Sequence, residues 1–269
     1  MKEGAEHTRD WLRSVAASVD DRRGWDFSRM QTEREPVPWD YMEVAPHYLK
    51  PTDAVLDIGT GGGEKLLAFS PHFEMGVGID PDPEMIRVAQ ENGARQPNVT
   101  FTEMGAEALA FPDSTFDVVL ARHAPTVVPE AVRVLKPGGY FVTQQVGAEN
   151  MANIREEFGT RRAHRGTGPR ALHNDDHRAR VDGLIKNGCR IVATGAYNVH
   201  YWVKDIPSLI FWFKAIAGGN EVPDGFTIDR DWQTVNRIIT RYSTANGVLT
   251  NEHRTLLIAR KGHAHGPST

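Results

Sequence analysis

Ala54-Val-Leu-Asp-Ile-Gly-Thr-Gly-Gly-Gly-Glu64 is an apolar run that ends in an acid and a glycine-dense turn, and it opens directly onto Lys65-Leu-Leu-Ala-Phe69. This is the pattern of a buried parallel strand handing over to a helix in an open α/β sheet. Ligands of such sheets bind outside the carboxyl ends of the strands, and the first strand–helix turn is the usual contact. Glycine removes the Cβ that would hold a ligand away from the backbone. The helix start behind the turn offers N–H groups to an anion such as a carboxylate. The spacing Gly59-x-Gly61-x-Gly63 differs from the G-x-G-x-x-G that suits a dinucleotide pyrophosphate. Taken alone, the same residues also suit a tight turn that binds nothing.

Working outward, further strands are predicted at residues 75–79, 99–102, 116–120 and 140–143. Asp80 closes the second strand. Asp82 then caps a helix that has Pro83 at its first position and stops at Asn92-Gly93. A short helix fits between Thr126 and Leu135, and Lys136-Pro-Gly-Gly139 reads as a tight turn. This alternation over residues 53–146 predicts a parallel sheet. Later come a helix over 174–186, a strand starting at 190–193, an apolar aromatic segment at 206–216, a helix near 229–243 and a last strand at 254–259. Residues 156–172, rich in Gly and Arg, read as a surface loop. Upstream, Trp11, Leu12, Val15 and Val19 at helical spacing predict an amphipathic helix within 7–20, and residues 40–48 predict another. The aromatics Trp25, Phe27, Trp39 and Tyr41 stand in an otherwise polar lead-in and need something to pack against.

With 269 residues, the chain has room for one large α/β domain with additions. A net charge of -4 gives no general attraction to nucleic acid or to anionic membranes. The lone Cys189 excludes an internal disulfide framework and a cysteine-based zinc site. No metal site is expected, because the tail histidines His263 and His265 have no neighbouring ligands. The first ten residues lack the apolar run of a signal peptide, and no stretch approaches the roughly 20 apolar residues of a membrane span. A cytoplasmic protein is expected.

With these residues in view, the chain resembles the class I S-adenosylmethionine-dependent methyltransferases. Four features match in order and spacing over about residues 50–146: Asp57-x-Gly59-x-Gly61-x-Gly63, Asp80 after the second strand, Ala106-Glu107 after the third, and Leu135-Lys-Pro-Gly-Gly139 before the fifth. The whole chain is also similar to a bacterial group of small methyltransferase-like proteins, through Trp25-Asp-Phe-Ser28, Trp39-Asp-Tyr41, Arg122-His123, Thr143-Gln-Gln-Val-Gly147 and residues 207–216. The resemblance implies a Rossmann-like seven-stranded sheet with a reversed last strand and helices on both faces. To this are added a helical lead-in (1–50) and a helical cap of about 199–245 inserted after strand six. The methyltransferase domain would span 51–261, with a disordered tail at 262–269.

The resemblance also implies S-adenosylmethionine as cofactor, with Asp57, Gly59, Thr60, Gly61, Gly63, Asp80, Pro81, Ala106, Glu107 and Arg122 around it. Asp80 would bind the ribose hydroxyls and Ala106-Glu107 the adenine. Family members often place an acid directly before this alanine, whereas this chain has Gly105, which leaves the adenine contacts to Glu107, Glu103 or a backbone carbonyl.

Methyl transfer from a sulfonium is an in-line displacement, and a base is needed only if the acceptor carries a proton. His123, after the fourth strand, is the candidate base because an imidazole titrates near neutrality; a structural histidine is the alternative. Trp25, Phe27, Trp39, Gln145, Tyr201 and Trp202 are the candidate lining of an acceptor pocket. Of Gln144 and Gln145, only one can face the site. The expected function is methylation of O, N or C of a small molecule. The alternatives are an RNA or protein methyltransferase and a non-catalytic adenosyl-ligand binder. Only the stretch 155–180, with seven arginines against four acids, favours a polyanionic partner. Strand four is followed by Arg122-His-Ala-Pro125, not by the Asn/Asp-Pro-Pro-aromatic motif of amino-group methyltransferases.

Overall fold

Apolar residues alternate between the two sides of each central strand, and this sets the layers. In the strand Ala54–Ile58, Val55 packs with one buried cluster and Leu56 with another, and neighbouring strands repeat the division at Val118/Val119 and Leu257/Ile258. A sheet buried on both faces is the requirement of parallel strands joined by helices. The computed structural model describes residues 7–160 and 177–263.

In chain order the elements are α1 (Arg9–Ala17), β1 (Thr32–Arg34), α2 (Tyr41–Val44) continuing as a 3-10 turn, β2 (Ala54–Ile58), α3 (Glu64–Phe69), β3 (Met75–Asp80), α4 (Pro83–Asn92) and β4 (Val99–Glu103). They continue with β5 (Phe116–Arg122), α5 (Val128–Val134), β6 (Leu135–Val146), α6 (Ala152–Phe158), α7 (His177–Lys186), β7 (Cys189–Val203), α8 (Ile206–Ile216), α9 (Ile228–Tyr242), β8 (Ser243–Thr244) and β9 (Gly247–Lys261). The strand order is β1-β7-β9-β6-β5-β2-β3-β4, with β8 paired to β9.

Two compact units divide the chain: Met1–Val37 with Ala148–Ala171 and Tyr197–His253, and Pro38–Gly147 with Leu172–Ala196 and Arg254–Thr269. In the second unit β4, β3, β2, β5 and β6 are parallel in succession, and β9 runs antiparallel to β6. Leu66 and Phe69 of α3 and Ile86 and Ala89 of α4 cover one face. Ala131, Val132 and Val134 of α5 and Leu184 of α7 cover the other. This is the Rossmann-like sheet with a reversed strand and helices on both faces that the resemblance implies.

The first unit has its own core, in which Leu12 of α1, Ile154 of α6, Leu209, Ile210 and Phe213 of α8, and Val235, Ile238 and Ile239 of α9 meet. Phe213 meets the Phe158 and Phe226 rings edge-on. Thr227 caps α9 by accepting from the Arg230 N–H. In the same unit β1 pairs antiparallel with residues 201–203 of β7.

Several boundaries differ from the sequence expectation. Lys136-Pro-Gly-Gly139 is not a free turn before a strand. It is a bulge inside β6, with Leu135 opposite Phe116 and Tyr140 opposite Val118, so the four residues loop around Asp117. Lys136 Nζ bonds the Asp117 carboxylate at 2.7 Å, and a Cβ on Gly139 would meet the Asp117 carbonyl oxygen. His200, Tyr201 and Trp202 do not follow strand six but lie within it, because β7 runs on to Val203. Residues 156–158 belong to helix α6, not to a loop; positions 161–176 of the arginine-rich stretch lie outside the described residues, as does the tail beyond 263. Among the described residues no helix is long and apolar enough to cross a membrane.

Candidate active site

The strand order reverses at β2. From there β3 and β4 follow on one side and β5 and β6 on the other. In an open α/β sheet, the crevice at such a reversal, beyond the carboxyl ends of the strands, is where ligands bind. The turn after β2 holds Gly59 to Gly63, and the turn after β5 holds His123 and Ala124. The two turns touch: a Cβ on Gly59, whose φ is +72°, would fall on the Ala124 Cβ. Only glycine meets both the left-handed backbone and this close approach.

The turn is tied to the end of β3. Gly59 and Thr60 N–H groups donate to the Ile79 carbonyl at 2.8 and 2.9 Å. Gly61 N–H donates to Asp80 Oδ2 at 3.0 Å, and Asp82 N–H donates to Asp80 Oδ1 at 3.0 Å. The N–H groups expected to await an anion are therefore partly spent inside the protein, on holding the turn and on orienting Asp80. An ionised carboxylate accepts about four hydrogen bonds, so these two N–H groups orient Asp80 without by themselves saturating it. Pro81, beside it, is exposed.

Asp57 lies beneath the turn with 7% of its surface exposed. Burial pushes its carboxyl up to about 7; Asp80 adds to the rise, while Thr60 and Arg122 oppose it. Tyr41 completes this group. It is 3% exposed, and its hydroxyl has no hydrogen-bond partner among the described residues. Its ring lies 6.0 Å from the Arg122 guanidinium carbon. Burial, then Asp57, raises its phenol, against Arg122. Nothing in the sequence singles out Tyr41 for such a role: it is one aromatic among several in the lead-in, and what marks it is a buried hydroxyl without a partner.

After β4, Ala106 packs against the core, and the Glu107 carboxylate folds back to where a Cβ on Gly105 would stand. An acid thus covers the position that the glycine leaves open.

His123 has a left-handed backbone with φ +55°. Its N–H donates to the Gln144 carbonyl at 2.8 Å, and its Nε2 lies 3.3 Å from Gln144 Nε2. Gln144 Oε1 in turn accepts from Trp39 Nε1 at 3.2 Å. Alternation along β6 sends Gln145 the other way, where its amide donates to Thr143 Oγ1 at 2.9 Å. The structure therefore brings Gln144, not Gln145, to His123, and gives Trp39 a hydrogen-bonding task there. The remaining pocket candidates lie in the first unit: Trp25 and Phe27 meet edge-on at 5.3 Å, Tyr201 packs on Trp212 at 5.5 Å, and Trp202 lies 5.8 Å from His200.

Residues 56–143, which hold this turn, Asp80, Glu107 and His123, match the methyltransferase domain family. The chain carries a methyltransferase domain. Its relatives include the uncharacterized methyltransferase YcgJ of Bacillus subtilis, 42% identical over 33% of this chain and 38% of that protein. Another is the demethylmenaquinone methyltransferase of Symbiobacterium thermophilum, 32% identical over 58% of this chain and 66% of that one. The chain thus spans less than two thirds of the length of either. The solved structure of YcgJ from Bacillus subtilis superposes with a TM-score of 0.58 at 22% identity, covering 83% of this chain and 98% of that one, a likeness of fold. Within the methyltransferase domain, the glycine turn, Asp80 and Glu107 fall in the matched segment, whereas Tyr41 and Gln144 lie outside it.

Proposed function

We propose that the protein is a methyltransferase that binds S-adenosylmethionine at the carboxyl ends of β2, β3 and β4 and methylates O, N or C of a small molecule by in-line displacement. The observation that carries this reading is the glycine turn locked onto Asp80, with that carboxylate oriented by two backbone N–H groups at the end of β3. The unpartnered Tyr41 hydroxyl, buried beside Asp57 and Arg122, fits a polar ligand at the turn. S-adenosylmethionine supplies an electrophilic methyl group on a sulfonium.

The protein's part is positioning. Asp80 holds the ribose; Ala106 and Glu107 flank the adenine, Glu107 standing in for the acid missing at Gly105. Gly59, Thr60, Gly61 and Gly63 let the backbone come close, with Asp57 and Arg122 as the charges around it. Pro81 turns the chain out of the ribose contact. Fixing two reactants in attack geometry contributes up to about 7–11 kcal/mol at best, and a base is needed only for an acceptor that carries a proton. A small-molecule acceptor is favoured by the net charge of -4 and by the quinone named for the Symbiobacterium relative.

A crystal structure with S-adenosylhomocysteine tests the assignment. The expected result is the ribose on Asp80 and the adenine between Ala106 and Glu107. A ligand bound away from residues 59–63 would overturn it.

A further inference from the structure

Gln144 is 4% exposed, so its amide must find its partners within the protein. It has them on both sides, with Trp39 Nε1 at 3.2 Å from Oε1 and His123 Nε2 at 3.3 Å from Nε2. An indole N–H is a donor and nothing else. It therefore fixes which end of the amide is oxygen, because the reversed amide would set two N–H groups against each other. The amide nitrogen, also a donor only, is left facing His123 Nε2. That ring nitrogen must present its lone pair, and the proton of the neutral ring belongs on Nδ1.

Gln144 grips the same residue a second time through the backbone, accepting from the His123 N–H at 2.8 Å. A non-glycine residue in the left-handed region is strained and persists where its surroundings over-determine it. Here the over-determination is visible: backbone and side chain of one glutamine both hold His123, next to the Ala124 that touches Gly59.

We propose that Trp39 and Gln144 are positioning residues that hold His123 as its neutral Nδ1–H tautomer, a hydrogen-bond donor and not a general base. Trp39 orients Gln144, and Gln144 orients the imidazole. A proton taken up at Nε2 would confront the amide N–H, and Nδ1 already carries one. Taken together with the methyltransferase reading, on which this last step rests, His123 does not deprotonate the acceptor, which favours nucleophiles that need no base: carboxylates, enolates, phenolates already ionised, or unprotonated amines.

The tautomer is readable in the full-length protein with histidine-selective ¹⁵N labelling and long-range ¹H–¹⁵N correlation, at a pH where the ring is neutral and with no ligand added. His123→Asn identifies the His123 signals, since asparagine tolerates the left-handed backbone. The wild type is expected to show the proton on Nδ1. Gln144→Glu, whose carboxylate accepts instead of donating, is expected to move it to Nε2. Trp39→Phe, which frees the amide to turn over, is expected to show both tautomers. A proton on Nε2 in the wild type would overturn the proposal, and so would a Trp39→Phe variant with the wild-type tautomer. The readout involves neither cofactor nor acceptor, so its failure is distinct from a failure of the methyltransferase reading.

Discussion

Asp57 shows what the cradle costs the protein. Burial pushes its carboxyl from the ordinary aspartate value of 3.8 up to about 7. Between those values the native state keeps a proton that the unfolded chain has lost, so this group's contribution to stability falls as pH rises from about 4 to about 7 and is level above that. Asp57→Asn removes the buried charge. In denaturant titrations across pH 4 to 8, the stability of the variant relative to wild type is expected to climb through that window; a difference that is flat or that declines with pH would contradict the burial account. Asp57, Asp80 and the glycines were legible in the sequence because the requirement is local, a short turn with an acid on either side. Tyr41 and Gln144 were not. Gln144 reaches His123 through the parallel register of β5 and β6, in which Arg122 stands opposite Gln144, and sequence alternation alone does not say which of two adjacent glutamines faces that way.

At the level of elements, β2, β3 and β4 are legible in the sequence because each is a short run of apolar or β-branched residues that meets a glycine or an acid at its end. The errors fall where a distant partner decides the conformation. Pro137, Gly138 and Gly139 are local turn signals, yet β5 keeps them in the strand as a bulge around Asp117. The expected effect of Gly139→Ala is a loss of roughly 1–3 kcal/mol, because the new methyl group meets the Asp117 carbonyl oxygen and the Leu135 side chain; a chemical denaturation midpoint unchanged from wild type would show that the bulge yields freely. The length of β7 is not legible in the sequence for a related reason. Its side chains alternate between exposed and half-buried over most of its length, leaving only a weak apolar signal, and Gly195 within it reads as a break. In the structure that glycine makes room for the Trp39 ring, which would lie 3.0 Å from an added Cβ.

For the whole molecule, the sheet order decides which residues share an end. The order reverses at β2, and the carboxyl ends of β2, β3, β4 and β5 and the turns after them bring the glycines, Asp80, Glu107 and His123 to one end of the sheet. A carboxylate placed for ribose hydroxyls suits an adenosyl ligand or a nicotinamide dinucleotide equally; the glycine spacing and the match of residues 56–143 to the methyltransferase domain family separate the two. Titration calorimetry with S-adenosylmethionine, S-adenosylhomocysteine and NAD puts this claim to its most direct test. The two adenosyl ligands are expected to bind and NAD to give no response. Asp80→Ala is expected to weaken adenosyl binding roughly ten- to hundredfold, the equivalent of losing hydrogen bonds to a charged group. Binding of NAD with no response to either adenosyl ligand would contradict the account.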